Sequence, residues 1–219
     1  MRKLLLIICI LSSVGVINAQ EKKEKKHAVS IGVGTGLGID YSYKINNYFY
    51  ATARYSTLPY KKEGFDYEID GEDMLVDAEF DFSHIDALIS IAPFGKAFRF
   101  VLGAGYFTSS DVDVMMTFKD EVTIGEVVFT SDDIGSLLIN TEWNGLLPYA
   151  GISFGRPVPK SGFGFGLELG AYYDADGPSM SLNANGLIEN TKNQEGLLQE
   201  SFKENKFLPY VAFRFAFSF

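Results

Sequence analysis

From Val29 to the carboxyl end the apolar positions recur with a period of two, which predicts strands rather than helices. The last segment shows it best. Phe207, Pro209, Val211, Phe213, Phe215, Phe217 and Phe219 fall on one face, and Leu208, Tyr210, Ala212, Arg214, Ala216 and Ser218 on the other. In Gly162 to Tyr173, Phe163, Phe165, Leu167, Leu169 and Ala171 alternate with Gly164, Gly166, Glu168, Gly170 and Tyr172. Phe49 to Tyr55, Phe98 to Gly105 and Tyr149 to Phe154 read as further strands. Ile85, Ala87, Ile89 and Ile91 make one face while Phe80 and Phe82 take the opposite parity, so a bulge near Ser83 and His84 is expected.

A soluble sandwich buries its bulky face and clothes the other with charges and Thr, whereas here the second face is mostly small. That division suits a narrow barrel with lipid outside and a packed polar lumen. The connections fall into two kinds. Those at 46–47, 93–96 and 157–161 are short, and those at about 61–73, 118–144 and 183–206 are long and polar. Outer-membrane barrels have short periplasmic turns and long outer loops. Counting back from a descending last strand gives seven strands, with Leu37 to Ile45 descending. An even count adds Ala28 to Gly34, turning at Thr35 and Gly36, although the unbroken alternation of Val29 to Ile45 also fits one long strand. The expected fold is all-β: a closed antiparallel up-and-down transmembrane β-barrel of eight strands, with a secreted β-sandwich as the alternative.

The amino end changes the picture of where such a chain works. Met1-Arg2-Lys3, the apolar run Leu4 to Ile10 and the small residues up to Ala19 have the three zones of an export signal. Cleavage after Ala19 is expected, giving residues 1–19 as signal peptide, 20–27 as a polar leader and 28–219 as the barrel. Cys9, the single cysteine, lies in that signal, so the mature chain has no disulfide or thiolate metal site. The formal charge of −9 becomes −11 without Arg2 and Lys3, which disfavours a nucleic-acid partner.

Gly34-Thr35-Gly36-Leu37-Gly38, Gly64-Phe65-Asp66-Tyr67, Pro93-Phe94-Gly95 and Pro148-Tyr149-Ala150-Gly151 are joined by the Gly-rich run from Gly162 to Gly170 and by Ser179-Met180-Ser181-Leu182. In these motifs the chain resembles small Gram-negative outer-membrane β-barrels, typified by the OmpA transmembrane domain, OmpX and OmpW, and uncharacterised barrel proteins of the same kind. The ending Phe215-Ala216-Phe217-Ser218-Phe219 departs from the commoner Tyr-Arg-Phe. Its alternate aromatics, Phe215, Phe217 and Phe219, look like the signal read by the barrel-assembly machinery. The resemblance implies the outer membrane and its lipid as surroundings; it implies no reaction and no cofactor.

The inward parity collects Asp40, Lys44, Arg54, His84, Asp86, Arg99, Glu168 and Arg214. Unpaired charges in a narrow lumen are costly, so a salt-bridged ladder is expected, either as a solid plug or as the lining of a conduit for small molecules. His84 beside Ser83 raises lipid-modifying catalysis, yet adjacent residues of a strand point apart. Asp66, Glu68, Asp70, Gly71 and Asp77 partly imitate a calcium loop without its final Glu. Tyr41, Tyr43, Tyr48, Trp143 and Tyr149 suit an aromatic girdle at a lipid boundary, and Leu187, Ile188, Leu197, Leu198 and Phe202 suit a short amphipathic helix. The expected role is non-enzymatic: envelope structure or surface interaction, with a partner for the loops unspecified.

Overall fold

The computed structural model describes residues 24–219 apart from 70–71, 125–126 and 144. The expected signal segment and the start of the leader lie outside the described residues, as do Asp70 and Gly71 of the partial calcium loop.

The strands are β1 (His27–Gly34), β2 (Leu37–Lys44), β3 (Phe49–Ile69), β4 (Glu72–Ile91) and β5 (Phe98–Phe118). After a small ribbon of β6 (Val122–Ile124) and β7 (Val127–Phe129) come α1 (Ser131–Ile134), β8 (Ser136–Glu142) and β9 (Gly145–Phe154). Next follow β10 (Phe163–Tyr173), β11 (Ser179–Ala184), a 3-10 segment (Gly186–Gln194), α2 (Glu195–Lys203) and β12 (Phe207–Ser218). Eight strands close a ring in the order β1, β2, β3, β4, β5, β9, β10, β12, with every neighbour antiparallel. The seam pairs Ala28 with Ser218 through to Gly34 with Ala212. Val29 to Ile45 is a hairpin, turning at Thr35 and Gly36, where the Gly34 amide donates to the Gly36 carbonyl. Polar residues do this job in the short turn before β3 as well: the Asn46 side chain accepts from the amides of Tyr48 and Phe49.

The ring is inside out relative to a soluble protein. Ile31, Ile39, Ile85, Phe100, Leu102, Phe165, Phe213 and Phe215 are exposed, Phe213 and Phe215 each at 57%, while Arg54 is 2% and Glu168 1% exposed. One parity of every strand therefore meets the surroundings with hydrocarbon, and the other parity fills the lumen with charge, hydroxyl and ring.

The chain runs higher on one side than expected. Among the described residues β3 beyond Thr57 pairs with β4 alone, and β5 beyond Phe107 leaves β9 for β8. β8 and β9 follow one another along β5, parted by residues 143 and 144, and β11 prolongs β10 in the same way by pairing with β8. A five-stranded sheet thus rises above the ring and takes in parts of the stretches that the sequence presents as loops at 61–73 and 118–144, while 183–206 is mostly the 3-10 segment and α2. Its water-exposed strands lack the uniformly greasy parity of the ring, which hides them in a polar reading.

The far edge of this sheet is closed by side chains. Gln199 and Glu195 of α2 accept from the amides of Met180 and Leu182 on β11, and the Gln199 amide donates to the Pro178 carbonyl. An edge strand that would offer bare donors is thereby satisfied. The expected amphipathic helix is this α2 with the 3-10 segment before it.

The bulge at Ser83 and His84 is present in the pairing of β4 with β5, but the extra residue is Thr108 of β5. β4 itself stays in step with β3 there, so Phe80 and Phe82 share the inward parity of His84, and Phe82 packs on Trp143 instead of turning outward.

Candidate functional site: the lumen

Strand register brings the lumen charges together. Ser30, Asp40, Arg54, Asp86 and Gly105 are successive cross-strand partners from β1 to β5, so an arginine stands between two aspartates at the closest spacing a sheet allows. Glu168 reaches the same centre from β10 and Arg214 from β12. Arg54 lies 3.2 Å from Asp40 through Nε, 3.3 Å from Asp86 through Nη1 and 2.8 Å from Glu168 through Nη2. Arg214 Nη1 lies 3.0 Å from Asp40 and 2.9 Å from Glu168. The guanidinium of Arg54 also sits 4.7 Å above the ring of Tyr210, a favourable place for a cation.

Neutral groups complete the cluster. The Tyr149 hydroxyl donates to Glu168 at 2.7 Å, the Tyr172 hydroxyl to Asp86 at 2.9 Å, and the Ser30 hydroxyl to Asp40 at 3.2 Å. His84 Nδ1 is 2.8 Å from Asp86. Glycine makes the space: a Cβ on Gly105 would lie 2.4 Å from Asp86 Oδ1, and one on Gly170 would lie 2.3 Å from the Tyr149 hydroxyl. Arg214 has Gly32 and Gly166 as its cross-strand neighbours.

Six of the eight expected lumen residues, Asp40, Arg54, His84, Asp86, Glu168 and Arg214, meet in this one network. Lys44 lies apart, near the chain ends, paired with Glu24. Among the described residues no carboxylate lies within ion-pair distance of Arg99; its Nη2 donates to the Ser153 hydroxyl at 2.5 Å. Phe215 and Phe219 are exposed on the outer face and Phe217 is half-buried there, its ring tilted against that of Phe163 at 4.9 Å between centroids.

Both ends of the lumen are filled. On the side of the raised sheet, Phe107, Leu147, Tyr149, Tyr172 and Tyr210 pack together with Phe82, Trp143 and Leu208 against them. At the other end the turn between β9 and β10 crosses the opening: Val158 packs on Ala28, Tyr50 and Ala92, and the Pro159 carbonyl accepts from Ser218 at 2.6 Å. Between these caps remains a cavity of about 20 Å³.

Tyr149 and Trp143 are therefore not girdle residues. Tyr149 is buried beside Glu168 because it shares the parity of Gly151 and Ser153, and Trp143 turns in against Phe82 at the break between β8 and β9. Tyr41 and Tyr43 are exposed on the outer face of β2, and Tyr48 is exposed in the turn before β3. Tyr172, Tyr210 and Arg156 were not singled out as site residues. The first two share a parity with Glu168 and Arg214, whereas Arg156 lies in a turn where parity says nothing.

Other candidate chemistry is dispersed. The Ser83 hydroxyl bonds Thr57 at 2.9 Å, on the face opposite the His84 ring, so the pair has no nucleophile-base geometry. Asp66 pairs with Lys119 at 2.8 Å, and Asp77 accepts from the Gly64 amide, so these two carboxylates face different partners.

No protein-family profile matches the chain, and no curated protein matches it. Among solved structures it is similar to Acinetobacter baumannii CarO, at 20% identity and a TM-score of 0.62, over 92% of this chain and all of that one. It is also similar to Acinetobacter baumannii CarO2, at 22% identity and a TM-score of 0.61, over 90% of this chain and all of that one. The likeness is one of fold.

Proposed function

We propose that the chain spans the outer membrane of a Gram-negative cell as a closed barrel and acts there without catalysis, holding its raised five-stranded sheet and α2 above the membrane as a surface for interaction. The observation that carries this reading is the inverted polarity of the ring. A water-soluble protein would not leave Phe213, Phe215 and Phe165 bare while sealing Arg54 and Glu168 inside. The lumen supports a structural role: three carboxylates and two arginines lock five strands in register, and packed rings and a folded turn stop both ends. The likeness to CarO supports the barrel and adds nothing on what the sheet binds.

Membrane fractionation followed by gel electrophoresis with and without boiling tests the placement. The protein is expected in the outer-membrane fraction, with a faster band before boiling; recovery in a detergent-free soluble fraction sinks it. Planar-bilayer recording of the refolded protein tests the plug. A silent trace is expected, and discrete current steps that vanish on altering Arg54 would replace the scaffold by a conduit.

A further inference from the structure

The two ends of the barrel carry opposite charge. Among the described residues every acid except Glu24 and the lumen three, Asp40, Asp86 and Glu168, lies on the side of the raised sheet. Three lysines there are partnered: Lys61 pairs with Glu63 and Glu79, Lys119 with Asp66 and Lys192 with Glu189. The opposite rim, where the turns are short, is basic. Lys25 and Lys26 precede β1, Lys96 stands in the turn between β4 and β5, and Arg156 and Lys160 stand in the turn between β9 and β10. Lys44, at the end of β2, takes Glu24, the one acid of this rim among the described residues; the Glu24 pKa is lowered first by that bond and then by the nearby charges of Lys26 and Lys160. Arg156 donates to the Gly95 carbonyl, while Lys26, Lys96 and Lys160 are exposed and have no ion pair among the described residues. These bases sit where the hydrocarbon face ends. Phe94 and Phe163, close in sequence to Lys96 and Lys160, are 70% and 74% exposed. The Lys25 ammonium lies 5.7 Å from the centroid of the outward Phe217 ring and donates to the Ser218 carbonyl at 2.9 Å. Flexible basic side chains rooted beside outward rings carry their charge to the level of lipid headgroups.

We infer that this rim recruits anionic phospholipid of the phosphatidylglycerol type, with Lys25, Lys26, Lys96 and Lys160 meeting the headgroup phosphates of the leaflet that surrounds the short turns. Charge complementarity carries the inference. Six bases stand at this rim against Glu24, and they remain in excess with a carboxylate at Phe219 counted. Each lysine held at an anionic surface favours it by roughly fivefold. The bases are also distributed in the way a leaflet requires. Lys96 lies across the ring from Lys26, because β4 and β5 stand opposite the seam of β1 and β12. A globular partner would meet one side of such a rim, whereas lipid encircles it. The acids of the raised sheet would repel phosphate, so the preference belongs to one leaflet. The inference rests on the membrane placement proposed above and names which lipid the short-turn side gathers.

Spin-labelled lipid provides the test. The protein is refolded into phosphatidylcholine vesicles that carry a trace of spin-labelled phosphatidylglycerol or of spin-labelled phosphatidylcholine, and the motionally restricted part of each spectrum gives their relative association with the barrel. Phosphatidylglycerol is expected to associate at least about twofold more strongly, the average being diluted by lipids that touch no lysine. The preference should vanish at about 1 M salt, where charges are screened beyond about 3 Å. It should also vanish in a variant combining Lys25→Gln, Lys26→Gln, Lys96→Gln and Lys160→Gln, with the unboiled gel band reporting that this variant has folded. Lys61→Gln with Lys62→Gln, on the raised sheet, should leave it unchanged. If the fourfold variant does not fold, the salt series and the Lys61 and Lys62 variant decide. Equal association of the two lipids overturns the inference while leaving the membrane barrel standing, as does a preference that survives high salt or the four changes, or one that is lost with Lys61 and Lys62. No restricted lipid of either kind removes the barrel reading as well.

Discussion

Replacing Arg54 by Met removes the charge that three buried carboxylates share while keeping much of the apolar stem. Asp40 and Glu168 retain Arg214, and Asp86 retains only Tyr172 and His84. Asp86 is thus left buried without a guanidinium. Taking one member from a buried ion pair typically costs about 3–5 kcal/mol, far above the worth of an exposed pair, because the survivor stays desolvated. Arg54→Met is therefore expected to lose about 3–5 kcal/mol of stability. Adding Asp86→Asn should recover part of it, since the same two residues then no longer carry an unmatched charge. Urea titration in detergent micelles measures this, with the fluorescence of Trp143, the chain's one tryptophan, as signal; its ring lies 5.8 Å from Phe82 at the lumen cap. A loss below about 1 kcal/mol, or no recovery in the double variant, would refute the view that these charges hold the ring together.

Phe165→Arg places a cation on the outer face of β10 and is expected to cost about 2–4 kcal/mol in a lipid bilayer; an unchanged midpoint would argue against hydrocarbon at that face. Gly170→Ala drives a methyl onto the Tyr149 hydroxyl and should lower stability by about 1–3 kcal/mol in the same titration. Removing the edge caps with Glu195→Ala and Gln199→Ala should speed hydrogen exchange at the amides of Met180 and Leu182 while leaving the unfolding midpoint of the ring in place. The carboxylate of Asp133 accepts from the Thr130 hydroxyl and amide, which holds its pKa below the ordinary 3.8. The stability it lends α1 is thus present above that value and lost as pH falls through the depressed one. Amide protection at Ile134 should fade over that acid range and show no such step in Asp133→Asn.

The ring was legible because parity alone fixes a face. Asp40, Arg54, Asp86, Glu168 and Arg214 each fall between apolar neighbours two apart, and a barrel this narrow has one interior for them to meet in. What parity leaves out is register, and with it the partners. Nothing in the sequence distinguishes Arg99, left without a carboxylate, from Arg54, which holds three. The raised sheet was obscured for a different reason. Ser136 to Glu142 reads as Ser-Leu-Leu-Ile-Asn-Thr-Glu, without clean alternation, and becomes a strand through pairing with distant β5 and β11. The same long-range pairing decides that Trp143 turns inward.

The near side of that sheet has its own consequence. Above Thr57, β3 has one neighbouring strand among the described residues, β4, and its other edge is a row of backbone donors and acceptors with no strand beside it. Pro59 interrupts the row, having no amide hydrogen to give, and Lys61 and Lys62 bring ammonium groups to it. A strand margin that lacks a donor at one place and carries long charged side chains beside it is a poor template for another chain's backbone, so it works against end-to-end joining of such barrels into a ribbon.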